Sequence, residues 1–271
     1  DYIDKMFHKN VLGMESRNLD LFLCGKEGVC SIFQNYSARY DLSVIEGVMG
    51  YYDGLAGRSI KGSTCDIAKI TDTPVILCID TKGMSLSVVP YVKGFLEYIP
   101  DSHIQGVILN RCSKGMYPIL KELLETQLNI AVIGYMPVLE DCELPSRHLG
   151  LYLPQEIQDF QQKVERIADT LADTLDMECL LGLAKSAPAL ETKAPDNWSG
   201  ILQQTEPVIR IAIAIPITMF TRINATLYNS VFLVITHASL EANRNLKFLS
   251  PAHGLAQIPF AKFSFLNAIT I

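Results

Sequence analysis

The chain has 271 residues and a net charge of −6, with hydrophobic residues at 49% and charged residues at 19%. That composition is globular rather than disordered, and its acidic balance excludes a nucleic-acid binder working through charge. No apolar run reaches the roughly 18 residues of a membrane span, and the seven cysteines form no CxxC pair, so the expectation is reduced thiols in a cytoplasmic protein.

The chain opens on Asp1-Tyr2-Ile3-Asp4, without a basic and apolar leader pattern, and both ends are expected to be cut from a longer protein. The opening segment is dense in polar groups: Asp1, Tyr2, Asp4 and His8, then Arg17, Asn18 and Asp20, a set able to hold a metal or a polyanion. Residues 42–45 read as a buried strand running into Glu46 and Gly47. A short helix is predicted over 63–71, with Ser63 or Thr64 as its N-cap. Strands are predicted over 74–80, 104–109 and 130–135, and helices over 85–99 and 114–128. These strands are almost wholly apolar, as in a parallel sheet covered on both faces. Their alternation with helices defines an α/β, doubly wound, mostly parallel plan.

Residues 156–186 read as helix, in one piece or two, and 187–207 as a polar, proline-bearing linker. A second domain is expected over 208–271, opening on a strand at 208–215, with a helix over 224–245 and a strand at 246–250. The division is then 1–186, a 187–207 linker, and 208–271.

Open α/β sheets bind ligands where their strands end, so the residues just past each strand are the candidates. After the first comes Glu46-Gly-Val-Met-Gly-Tyr-Tyr-Asp53-Gly, two carboxylates in a loop whose glycines allow close backbone approach. Glu46 at the strand tip is placed to hold Mg²⁺ on a nucleotide; the competing reading is a turn with two solvated acids. After the second comes Asp80-Thr-Lys-Gly83, which suits a phosphate contact or, more simply, a helix-capping turn. After the third come Asn110 and Arg111; an asparagine amide can meet a purine because it offers both donor and acceptor. Past the fourth lie Arg147 and His148, adjacent groups suited to an anionic substrate. No G-x-x-x-x-G-K-[ST], HExxH or GxSxG occurs in the sequence.

Five segments in order carry a resemblance: Asp1–Asp4, Ser16-Arg-Asn-Leu-Asp20, Glu46–Gly54, Gly106-Val-Ile-Leu-Asn-Arg111 and Arg147-His-Leu-Gly150. The chain resembles the cobyrinic acid a,c-diamide synthase family of cobalamin biosynthesis. It is similar, more distantly, to the cobyric-acid and dethiobiotin synthetase-like ATPases. The resemblance covers residues 1 to 155, and more weakly 208 to 255. It implies a P-loop NTPase-like amidoligase core whose phosphate loop precedes the segment at Asp1, followed by a truncated glutamine amidotransferase-like segment. The implied reaction is an ATP- and glutamine-dependent ligation through acyl phosphates.

The implied catalytic residues are Asp1, Tyr2, Asp4, Glu46 and Asp53, with Glu46 and Asp1 on Mg²⁺. The implied nucleotide contacts are Asn110 and Arg111, and the implied substrate contacts are Asn18, Asp20, Arg147 and His148. Cobyrinic acid, ATP and glutamine or ammonia are the implied partners, with a homodimer left open. Position 5 is Lys, where the family carries Pro, and no cysteine follows Cys179 to serve as a glutaminase nucleophile. The chain alone is therefore expected not to turn over with glutamine. Two other readings stay open: a non-catalytic fragment that binds corrinoid or a partner, and a dethiobiotin synthetase-like ligase.

Overall fold

The computed structural model describes residues 13–47, 49–142 and 159–188 and, for the backbone alone, 146–147, 150–151 and 232–237. Asp1, Tyr2, Asp4, His8 and His148, the strands expected at 208–215 and 246–250, and nearly all of the linker lie outside the described residues.

The first element is a helix that the sequence reading did not anticipate, α1 (Leu21–Ser37). Asp20 caps it, its Oδ1 accepting from the amides of Phe22 and Leu23 at 2.9 Å each. Gly25 interrupts the helix at φ 64°, a left-handed turn that suits glycine. Strand β1 (Leu42–Gly47) follows and includes Glu46 and Gly47 within the strand. Residues Leu42 to Glu46 are half-buried rather than fully buried.

Helix α2 (Thr64–Thr71) begins at Ser63, whose Oγ accepts from the Asp66 amide at 3.2 Å, while the Asp66 carboxylate accepts from Gly62 N–H at 2.7 Å. This reciprocal cap fixes the helix start. Then come β2 (Val75–Asp80), α3 (Val88–Glu97), β3 (Ile104–Asn110), α4 (Tyr117–Leu128) and β4 (Ala131–Met136). A two-stranded hairpin, β5 (Ser146–Arg147) and β6 (Gly150–Leu151), precedes α5 (Phe160–Thr174) and α6 (Met177–Lys185). The helical stretch expected over 156–186 is thus two helices.

The main sheet has the order β1-β7-β2-β3-β4, where β7 is Phe232–His237. β2, β3 and β4 are parallel, and β7 runs antiparallel to both β1 and β2. The helix expected over 224–245 is corrected here. Its centre, Phe-Leu-Val-Ile-Thr-His, is rich in β-branched residues and hydrogen-bonds between two strands, which outweighs its weak helical pattern.

Alternation along the parallel strands builds two cores. Leu77, Ile79, Val107, Leu109 and Val132 face one side, against Ala68 of α2, Val88 and Val92 of α3, and Leu120 and Leu124 of α4. Ile76, Cys78, Ile108 and Ile133 face the other, against Ile167 and Leu171 of α5 and Leu180 and Ala184 of α6. Strands covered on both faces are apolar along most of their length, Gln105 of β3 being exposed, which is why their sequences show no regular polar alternation. In α5 the buried residues Val164, Ile167, Ala168 and Leu171 repeat at helical spacing and form one apolar stripe.

Candidate functional site

The parallel strands end level with one another. Asp80 pairs in register with Asn110, and Asn110 with Met136, so the polar residues after β2 and β3 stand side by side at one edge of the sheet. There Arg111 Nε donates to Asp80 Oδ1 at 2.8 Å, and Arg111 Nη2 donates to Asp80 Oδ2. The pair is bidentate, the geometry in which a planar guanidinium matches a carboxylate best. Lys82 N–H adds a third donor, to Asp80 Oδ1 at 3.0 Å.

The backbone is wired at the same place. Arg111 has φ 53°, a left-handed conformation uncommon for a residue with a side chain. Arg111 N–H donates to Asn110 Oδ1 at 2.9 Å. The Asn110 carbonyl accepts from both the amide and the hydroxyl of Thr81, each at 2.9 Å, and Cys112 N–H donates to the Met136 carbonyl at 3.0 Å. The loop after β2 is thereby tied to the end of β3, and the loop after β3 to the end of β4. Burial works to raise the Asp80 carboxyl, but the Arg111 guanidinium and the Lys82 amide outweigh it and hold the carboxyl below its ordinary value. Asp80, in turn, holds the Arg111 guanidinium more firmly protonated.

Glu46 and Asp53 belong to a second polar region. Glu46 Oε1 is shielded from solvent near the tip of β1. Glu46 is level with Leu233 of β7, and Leu233 with Ile76 of β2, so Asp80 lies four residues further along. At about 3.3 Å per residue, that is about 13 Å along the strands, with β7 intervening. Asp53 N–H closes a turn onto the Gly50 carbonyl at 2.9 Å. The Asp53 carboxylate lies where a Gly50 side chain would stand, so any larger residue at 50 would have to displace it.

Two tyrosines anchor this loop. Tyr51 is fully buried and its hydroxyl donates to the Ser102 carbonyl, in the turn before β3. The Tyr52 hydroxyl donates to the Phe95 carbonyl near the end of α3, and its ring packs on Phe95 and Tyr98. Burial pushes the Tyr52 hydroxyl up to about 12 and the Tyr51 hydroxyl further still, so both are held as neutral donors. The described contacts of the loop therefore run to the opposite end of β3 from Asn110.

The structure thus brings Asn110 and Arg111 together with Asp80, and sets Glu46 and Asp53 apart from them. Asn18 is half-buried just before α1, Asp20 serves as the cap of that helix, and Arg147 lies on β5 paired with Gly150. In the sequence Asp80 suits a phosphate contact or, more simply, a helix-capping turn. Its bond to Lys82 N–H does form a turn, but α3 has no side-chain cap, and the main partner of Asp80 is Arg111. The signal that could have revealed the pair is the equal spacing of two neighbouring parallel strands from their polar ends. Among the described residues no group of three or more His, Cys, Asp or Glu is placed to hold a metal ion. No described helix is long and apolar enough to cross a membrane.

This is an α/β protein in which a parallel sheet covered by helices on both faces carries a polar edge at its strand ends. No family model and no solved structure matches the chain. It is 41% identical over 189 residues to the cobyrinate a,c-diamide synthase of Caldanaerobacter subterraneus subsp. tengcongensis, a match covering 69% of this chain and 42% of that relative. It is 38% identical over 207 residues to the cobyrinate a,c-diamide synthase of Listeria monocytogenes, covering 74% of this chain and 46% of the relative. To the hydrogenobyrinate a,c-diamide synthase of Streptomyces coelicolor it is 36% identical over 212 residues, 78% of this chain and 44% of the relative. The chain belongs to the cobyrinate a,c-diamide synthase family, and it spans less than half the length of these relatives.

Proposed function

We propose that the chain forms part of an ATP-dependent ligase that amidates the a and c side-chain carboxylates of cobyrinic acid. The single observation that carries the reading is the likeness to relatives whose names specify that diamide product. The polar strand-end edge of Asp80, Asn110 and Arg111 supports it as a place for a nucleotide.

A carboxylate is a poor acyl donor, so activation must precede amide formation. In the proposed reaction a carboxylate oxygen of the corrinoid attacks the γ-phosphorus of ATP, the bond to the β-phosphate oxygen breaks, and ADP leaves. Ammonia, released from glutamine or supplied free, then adds to the acyl carbon. The carbon–oxygen bond to phosphate breaks, inorganic phosphate leaves, and the nitrogen sheds a proton to give the amide.

The residues take roles within that scheme. Asn110 meets the purine base, and Arg111 stands beside it. Glu46, a hard oxygen donor with one oxygen shielded near the β1 tip, suits Mg²⁺, with Asp1 as a second ligand. Bound there, Mg²⁺ would neutralise phosphate charge. Asp1 or Asp4 positions the reacting carboxylate, with Tyr2 beside them. Asp53 keeps the Gly50 turn ordered, as its carboxylate against Gly50 suggests. Arg147 and His148 bind the corrinoid carboxylates or the phosphate, and Asn18 and Asp20 are further substrate contacts.

The test is calorimetric titration of Mg·ATP into the chain and into Asn110→Ala. Saturable binding by the wild type is expected, weakened about 2- to 10-fold by loss of one hydrogen-bonding amide. An Asn110→Ala variant that binds as tightly as the wild type removes Asn110 from the nucleotide site.

A further inference from the structure

Asn110 stands in the proposed nucleotide site, but nothing in an asparagine side chain fixes which end of its amide faces a ligand. Here one end is assigned. Its Oδ1 accepts the Arg111 amide at 2.9 Å, so the NH2 is the end left to offer. The Arg111 that makes this contact holds a left-handed backbone at φ 53°, a conformation needing support from outside the residue. Two supports are visible in the structure: Cys112 N–H on the Met136 carbonyl at 3.0 Å, and, on the Arg111 side chain, the bidentate clamp from Asp80, 31 positions earlier in sequence and on the neighbouring strand. Asp80 is itself held by the Lys82 amide. The chain of contacts is continuous: Lys82 N–H to Asp80, Asp80 to the Arg111 guanidinium, Arg111 N–H to Asn110 Oδ1.

We infer that Asp80 is a positioning residue for base recognition: by clamping Arg111 it presents the Asn110 NH2 as a donor to the N7 acceptor of a purine. The inference rests on the reading that Asn110 meets the base, and it adds a residue that does not itself touch the nucleotide. Its consequence is a specific one. The contribution of N7 to binding should depend on Asp80, whereas the phosphate contribution should not.

The test compares Mg·ATP with Mg·7-deaza-ATP, which lacks the N7 acceptor, on the intact 271-residue chain. The wild type is expected to bind ATP about 2- to 10-fold tighter than 7-deaza-ATP, the worth of one hydrogen bond. Asp80→Asn keeps the shape of the side chain but weakens the clamp, and the preference should fall to near parity. Asp80→Glu keeps the charge and should retain part of it. The ratio of the two affinities cancels any general effect of removing a charge from the site. The Arg111 side chain is 42% exposed, so Arg111→Gln leaves the core intact and decides the matter should Asp80→Asn fail to fold. Full wild-type preference in Arg111→Gln and Asp80→Asn overturns the role of Asp80 alone. Equal binding of the two nucleotides by the wild type overturns the N7 contact. Binding of neither overturns this inference together with the proposed nucleotide site.

Discussion

At the scale of single residues, Asp80 is the group whose charge state the fold most visibly controls among the strand-end residues. Burial opposes its ionisation, yet Arg111 and Lys82 hold its carboxyl below the ordinary value. A carboxyl lowered in the folded state contributes stability that is fully present above its unfolded value, near pH 4, and is lost as pH falls through the folded value. Unfolding free energy measured in urea should therefore decline on acidification below about pH 4. Asp80→Asn should be less stable at neutral pH and show a shallower decline. Parallel profiles for the two proteins would show that the pair carries no linkage. This residue also marks the limit of sequence reading. Asn110 and Arg111 stood out because they follow an apolar run, but Asp80 and Arg111 are 31 positions apart, and only strand register makes them neighbours. The separation of Glu46 from that edge was equally invisible, since it follows from the placement of β7.

At the scale of elements, apolar runs announced β2, β3 and β4, whose ends lie within a residue or two of the expectation. Burial on both faces leaves little room for polar residues there, so composition alone marks them. Helix α1 was missed for a physical reason. Gly25 and Gly28 lower its helix propensity, and its stability comes from the Asp20 cap and from packing of Val29, Cys30 and Phe33. Helix α5 shows the opposite case, a full amphipathic stripe. Leu171 at 1% exposure sits in the core that joins α5 to the sheet. Leu171→Ala should cost about 2–5 kcal/mol in chemical unfolding, the range for a buried leucine truncation. Ile119→Ala, at a position 50% exposed on α4, should cost no more than about 0.5 kcal/mol. Similar costs at the two sites would contradict the placement of α5 over the second core.

At the scale of the whole molecule, the two cores on opposite faces of one sheet fix the strand ends as a rigid edge, and the ends of β2 and β3 hold its polar groups. Family membership directs attention to a corrinoid, and the proposed reaction requires that corrinoid and nucleotide bind together. Cobyrinic acid is coloured, so its binding can be followed directly by visible absorbance during titration into the chain with and without Mg·ATP. The account predicts saturable binding of cobyrinic acid that tightens when Mg·ATP is present. A titration with no saturable spectral change, under conditions where the chain is folded and Mg·ATP is bound, would contradict it.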